Sequence, residues 1–205
     1  MNTSAFVKNV CRTLEGYTTD HIIDLKSSTI VISDTDTSIY WNWALVDKLI
    51  NKKEFEEIKK QLKDRNRKLV IYCEDSERLS QLHKFLTSQD LKKVSSDSYL
   101  FYDKGEINSI DFSQVKTILI FLLLSLYFSA ADDCYFEDDP QGPYGKLDEF
   151  LDTARRGWNN LHKKGNIEFY LAYKNDKPVS VAVLSTSNNI GYISLVGSTK
   201  EVRGQ

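Results

Sequence analysis

Between residues 167 and 183, apolar side chains twice fall into strict alternation with more polar neighbours. Ile167, Phe169, Leu171 and Tyr173 occupy every second position, Asn175, Asp176 and Lys177 interrupt, and Val179, Val181 and Val183 resume the alternation. A period of two is that of a half-buried strand, and a short polar interruption containing Asn and Asp suits a tight turn. Ser187, Asn188 and Asn189 mark a second turn before GYISLVG, residues 191–197. Connections this short join only antiparallel neighbours, because a parallel pair needs a crossover of about a dozen residues or more. An antiparallel three-strand meander, with one apolar and one polar-leaning face, is therefore expected.

The meander is preceded by helical patterns. Leu147, Phe150, Leu151, Ala154, Trp158 and Leu161 form an apolar stripe. Asp148 and Glu149 lie at its start, and His162, Lys163 and Lys164 at its end, as the helix dipole favours, with Gly165 as the stop. Further upstream, ILIFLLLSLYF (residues 118–128) suggests a helix over about 112–130. Its uncharged run, 117–131, is fifteen residues long. A spanning helix needs about 20. A buried helix is expected there, and no membrane partner. In the first twenty residues Lys8, Arg12 and Glu15 prevent the apolar core of a leader peptide.

The earlier part of the chain has a different texture. All three prolines and seven of the nine glycines follow residue 139. Before it, residues 29–33 (TIVIS), 39–46 (IYWNWALV), 69–73 (LVIYC) and 98–102 (SYLFY) suggest strands. Asn51 with Glu54 makes a capping-box pattern ahead of Phe55, Ile58 and Leu62, with Glu56 and Lys60 spaced as an i,i+4 pair. A second helix is expected from Ser76 through Leu79, Leu82 and Leu86. The order is β-β-α-β-α-β, an α/β pattern. Lys104, Gly105 and Glu106 suggest a boundary between residues 104 and 110.

Composition narrows the partners. With 27 basic and 29 acidic residues, the chain lacks the basic footprint of a nucleic-acid-binding protein. Three scattered cysteines and three scattered histidines offer neither a disulfide framework nor zinc-ligand spacing, so no metal site and a reducing, cytoplasmic setting are expected. Cys73, beside Glu74 and Asp75, and Cys134, beside Asp132 and Asp133, lie among acids that raise a thiol pKa, which argues against nucleophilic cysteine chemistry.

At residues 196–205 (VGSTKEVRGQ) a strand closes and turns toward what should be a helix. Here the sequence resembles the GNAT superfamily of acyl-CoA-dependent N-acetyltransferases. That family's fourth strand ends in R-G-x-G-x-G, whose backbone amides cradle the pyrophosphate of coenzyme A at a helix N-terminus. Arg203, Gly204 and Gln205 match its first half. The resemblance spans roughly residues 112–205: helix, antiparallel three-strand meander, then this turn. It implies a mixed, largely antiparallel α+β sheet flanked by helices and acetyl-CoA as co-substrate. Val196 and Ser198 would touch the pantetheine arm through backbone groups, and Arg203, Gly204 and Gln205 would begin the pyrophosphate loop. The acceptor is expected to be a small-molecule or protein amine.

On this reading residues 109–205 correspond to the N-terminal half of a GNAT domain. Residues 1–108 follow the order of the family's second half without its glycines, as a degenerate copy would. A chain cut at the pyrophosphate loop is expected to be incomplete for activity, to bind acetyl-CoA weakly, with a dissociation constant above roughly 1 mM, and to leave a sheet edge open, either for a homodimer or for docking of the first part's strands. The alternative is a non-catalytic GNAT-like module that binds a protein partner through a sheet edge or the acidic loop.

Other residues have a functional and a plain reading side by side. Asp132, Asp133, Glu137, Asp138 and Asp139 put five acids and no base into eight residues, either an acidic mouth for an amine or a solvated helix end. Trp41 and Trp43 are either a ligand-stacking pair or core residues on one strand face. Tyr135, Phe136 and Tyr144 either wall a pocket or pack over the sheet. Glu168 and Tyr192 lie on strands where a proton could be managed beside an amine. The catalytic base is not identified by the sequence.

Overall fold

In the computed structural model the described residues are 3–98, 115–117, 121–136, 138–139, 147–161, 166–187 and 190–204. The chain opens with helix α1 (Thr3–Thr13), followed by strands β1 (His21–Asp24), β2 (Ser28–Ile32) and β3 (Trp43–Val46). Helix α2 (Lys52–Lys63), strand β4 (Ile71–Tyr72), a short 3-10 turn (Glu77–Leu79) and helix α3 (Ser80–Ser88) complete the first part. The second part contains β5 (Val115–Thr117), α4 (Phe121–Cys134), α5 (Asp148–Leu161), β6 (Ile167–Lys174), β7 (Lys177–Ser187) and β8 (Ile190–Ser198).

These strands form two four-stranded sheets, ordered β1-β2-β3-β4 and β5-β6-β7-β8. The first is antiparallel except for the parallel β3–β4 pair, and the second is antiparallel throughout. The first part's strands do not pair with β8, which ends its sheet among the described residues.

The expected meander is present. Asn175 and Asp176 make its first turn with φ of 52° and 60°. Two successive left-handed residues give the hairpin geometry that suits strand twist, and Asn and Asp tolerate that region better than other side chains. The capping prediction also has its counterpart. Asn51 Oδ1 accepts from Glu54 N–H at 2.9 Å, and Phe55, Ile58 and Leu62 are buried. Each such side chain contributes about 1.5–3 kcal/mol when removed from water. The Glu54 carboxylate, however, does not turn back on the cap. It accepts from Ser27 N–H at 2.7 Å and from the Ser28 hydroxyl at 2.8 Å, tying α2 to the β1–β2 hairpin. Glu56 pairs with Lys59 rather than Lys60.

Several expectations are corrected. The helix expected over 112–130 is instead strand β5 followed by α4, which runs on through Asp132 and Asp133 to Cys134. The strand expected over 39–46 begins only at Trp43. Asn42 anchors the preceding turn: its Nδ2 donates to the carbonyls of Asp36 and Ser38, and its Oδ1 accepts from Ser33 N–H and Arg67 Nε. Trp41 and Trp43 therefore share no strand face. Trp41 stacks on Phe150 with centroids 5.4 Å apart, while Trp43 packs on Tyr72 at 5.1 Å. Helix α1, within the first twenty residues, and strand β1, just beyond them, were not expected. The strand expected at 98–102 beyond Ser98, the boundary at 104–110, Glu137, Tyr144, the residues 162–165, the turn residues Asn188 and Asn189, and Gln205 lie outside the described residues.

One core lies between α2, α3 and the first sheet, built from Ile30, Ile32, Val46, Phe55, Ile58, Leu62 and Leu82 among others. A larger one lies on the inner face of the second sheet under α4 and α5, and it recruits Val10, Leu14 and Tyr17 from the start of the chain. Thr13 Oγ1 meets Ser185 Oγ at 3.1 Å, and Arg156 Nη2 donates to Asp20 Oδ2 and Thr35 Oγ1, each at 2.9 Å. The two parts are thus joined by both apolar and polar contacts.

Candidate functional site at the end of the second sheet

Strand β8 is irregular where it matters. Val181 pairs with Gly197 and Val183 with Ser194, so Leu195 and Val196 together face the single residue Ala182. This is a β-bulge, with Leu195 at φ 48°. A bulge breaks the ladder, bends the strand and re-aims backbone groups at a sheet edge. Val196 is exposed here.

The end of α4 seats against the same stretch. A Cβ placed on Gly197 would lie 2.8 Å from Tyr135 Cε2 and 2.9 Å from Cys134 Cβ. Glycine at 197 is what lets helix and strand approach this closely. The Tyr135 hydroxyl donates to the Val196 carbonyl at 2.8 Å, fixing the bulge from beneath.

Beyond β8, Thr199 N–H donates to the Val179 carbonyl at 2.9 Å, and a 3-10 turn (Lys200–Val202) leads to Arg203 and Gly204. Gly204 has φ 75°, is exposed, and has no atom within 4 Å of where a Cβ would stand. A backbone this open can be approached closely by a phosphate, and the left-handed φ suits glycine.

Arg203 is heavily engaged. Its Nε donates to the Ser198 carbonyl at 2.9 Å, Nη1 to Asp139 Oδ1 at 2.8 Å and Nη2 to the Cys134 carbonyl at 2.9 Å. Asp139 is the more deeply buried partner of that ion pair, its side chain 5% exposed against 23% for Arg203. The ion pair with Asp139 raises the Arg203 pKa further. The Cys134 carbonyl belongs to the last turn of α4, where carbonyls lack helical partners and the dipole favours a cation. Phe136 lies beneath the loop's cations, with Lys200 Nζ 3.8 Å and Arg203 Cζ 5.1 Å from its ring centroid.

Of the sequence-expected residues, Val196, Ser198, Arg203 and Gly204 are gathered at the end of β8 with Tyr135 and Phe136, in different roles. Val196 and Ser198 lie on β8, but both carbonyls are already accepting, from Tyr135 and Arg203. The Ser198 hydroxyl meets Ser180 Oγ at 2.8 Å. Tyr135 and Phe136 pack on the strand end and the loop. Asp132 and Asp133 are exposed on the last turn of α4, as is Asp138 beyond it. Glu168 and Tyr192 do not converge. Glu168 stands in the row Glu168–Leu184–Ile193, and Tyr192 in the adjacent row Ile167–Ser185–Tyr192, which points to the opposite face. The Tyr170 hydroxyl donates to Glu168, and burial pushes the phenol up to about 12.

Sequence reasoning missed the roles of Asp139 and Gly197. Asp139 and Arg203 are 64 positions apart, and nothing in either neighbourhood announces the pair. Gly197 offered only the weak hint of a glycine inside a strand pattern.

No protein-family model matches the sequence. No curated protein matches it either. Solved structures do match the fold. A functionally unknown conserved protein from Staphylococcus epidermidis ATCC 12228 is 12% identical with a TM-score of 0.53, over 91% of this chain and 74% of that one. A GCN5-related N-acetyltransferase from Kribbella flavida is 13% identical with a TM-score of 0.55, over 98% of this chain and 74% of that one. Among the described residues, no helix is long and apolar enough to cross a membrane. The chain has a mixed, largely antiparallel α+β architecture with helices flanking its sheets, and its fold is GNAT-like.

Proposed function

We propose that the protein is an acyl-CoA-dependent N-acyltransferase whose acyl carrier lies along the outer edge of β8. The observation that carries this reading is the bulge at Leu195 and Val196, followed within a few residues by the open backbone of Gly204. Acyl-CoA supplies an acyl group activated as a thioester. Arg203, Gly204 and Gln205 begin the loop that receives its pyrophosphate, with backbone amides rather than the Arg203 guanidinium doing the recognition. Val196 and Ser198 border the pantetheine arm through backbone other than their carbonyls.

The acceptor is an amine, small or on a protein, approaching from the side of Asp132, Asp133 and Asp138. Three exposed carboxylates near a site attract a cation and raise its local concentration. The amine attacks the thioester carbonyl directly, the thiol leaves, and the attacking nitrogen loses its proton to a base. Polarisation of the carbonyl by backbone amides at the strand edge needs no charged side chain, since fixed dipoles there require no reorganisation as charge develops. The buried thiols of Cys11 and Cys134 take no part. Burial holds them protonated, pushed up to about 12 and about 11.

The test is a transfer assay: the protein is incubated with acetyl-CoA and a polyamine, an aminoglycoside or a lysine peptide, and products are read by mass spectrometry. N-acetylated product from one class supports the reading. Acetyl-CoA binding without transfer to any class favours the interaction-module alternative. Absence of both binding and transfer at acetyl-CoA concentrations well above about 1 mM removes the reading altogether.

A further inference from the structure

Arg203 is the residue of the loop that the phosphate reading would place on the anion, yet its guanidinium faces inward. Its three nitrogens reach three acceptors on three segments: the last turn of α4, Asp139 of the acid-rich stretch, and the final carbonyl of β8. A planar guanidinium is suited to holding several acceptors in one fixed geometry, which a lysine ammonium cannot reproduce. The partner carboxylate of Asp139 is almost wholly buried, and a buried carboxylate is costly unless paired. Releasing Arg203 to a ligand would break the ion pair with that carboxylate and leave the Cys134 carbonyl without its guanidinium donor. The loop's other cation, Lys200, is exposed, with Nζ above Phe136.

We infer that Arg203 is a positioning residue, a strut that locks the acid-rich stretch and the end of α4 to the loop after β8, and that it is not a phosphate ligand. This rests on the acyltransferase reading for its functional meaning, though the strut exists independently of any ligand. The loop backbone from Thr199 to Gly204 is held in shape by Arg203 from inside, and the anion is met by backbone amides and by Lys200 from outside. The acid-rich side and the acyl-carrier side are thereby coupled through one ion pair, so that order at one favours order at the other.

The experiment uses Arg203→Ala, Arg203→Lys, Asp139→Asn, Lys200→Gln and the double variant R203A/D139N. Amide exchange over residues 199–204 is measured without ligand. R203A and D139N are each expected to speed exchange roughly tenfold, with R203K no better than twofold below R203A, because local opening is governed by the lost tie. The double variant is expected to be no faster than the faster single one, since both remove the same interaction. Exchange within about twofold of wild type in R203A, or additive effects in the double variant, would overturn the strut.

Acetyl-CoA affinity is then compared at low and high salt. The strut predicts weaker binding in R203A and D139N with an unchanged salt dependence, and a flatter salt dependence in K200Q. A salt dependence flattened by R203A but not by D139N would show direct phosphate contact and overturn the inference. If no variant and no wild-type protein binds acetyl-CoA, the acyltransferase reading fails while the exchange data still decide the strut.

Discussion

Gly157 of α5 lies against Tyr17 so closely that a Cβ there would stand 2.1 Å from the ring's Cδ2 and 2.8 Å from the Tyr17 Cα. The contact joins the start of the chain to a helix that covers the second sheet. Tyr17 is wholly buried and meets Phe150 and Phe169 edge to face at 6.2 and 6.1 Å. Gly157→Ala forces one element to move, because the obstructing atoms include backbone. A loss of about 1–3 kcal/mol is expected, the range for overpacking a tight core. Tyr17→Ala is expected to cost about 3–5 kcal/mol by opening a cavity. Urea unfolding followed by far-UV signal and by tryptophan fluorescence checks both. Coincident transitions are expected in the wild type, because Val10, Leu14 and Tyr17 belong to the second core while Val7 and Cys11 pack on Val31 and Leu45 of the first sheet.

The doubly used end of α2 gives a second prediction. Asn51→Ala removes the acceptor for Glu54 N–H and is expected to cost about 1 kcal/mol. Glu54→Ala removes acceptors for Ser27 N–H and Ser28 Oγ and loosens the hairpin from the helix. Hydrogen bonds to a charged group are worth about 1.5–3 kcal/mol, so Glu54→Ala is expected to be the more damaging of the two. Shifts in urea midpoint at constant slope measure the difference.

The thiols predict an alkaline limit. Desolvation lifts Cys134 from 9.0 to about 11 despite the lowering influence of Arg203, and lifts Cys11 from 9.0 to about 12. A raised pKa means the folded state binds the proton more tightly, so the contribution is whole below pH 9 and is lost as pH rises toward 11–12. Stability is therefore expected to fall between those limits, and less so in a Cys11→Ser/Cys134→Ser variant corrected for packing. At pH 8 a thiol reagent is expected to reach half-buried Cys73 slowly and the other two only after unfolding.

What was legible in the sequence follows the range of the forces. The meander, α5, the Asn51 cap and the buried faces of α2 and α3 were readable because alternation, helical spacing and capping act within a few residues. Helix α1 was overlooked because the segment was read only for a leader, although Val7, Val10, Cys11 and Leu14 are buried at helical spacing. The β5–α4 break hid inside one apolar run, where strand and helix are alike in hydrophobicity. In the site, the place of Arg203 and Gly204 at a strand end was readable. The inward turn of Arg203 was not, because Asp139 and the Cys134 carbonyl that hold it arrive only through the fold.

The most direct measurement is a two-dimensional amide spectrum of the isotopically labelled protein titrated with acetyl-CoA, which registers even millimolar affinity. The account predicts saturable shifts concentrated at Leu195, Val196, Ser198 and Gly204, with the amides of β2 and α2 unmoved. Shifts centred on the first sheet, or a spectrum unchanged at saturating acetyl-CoA, would contradict it.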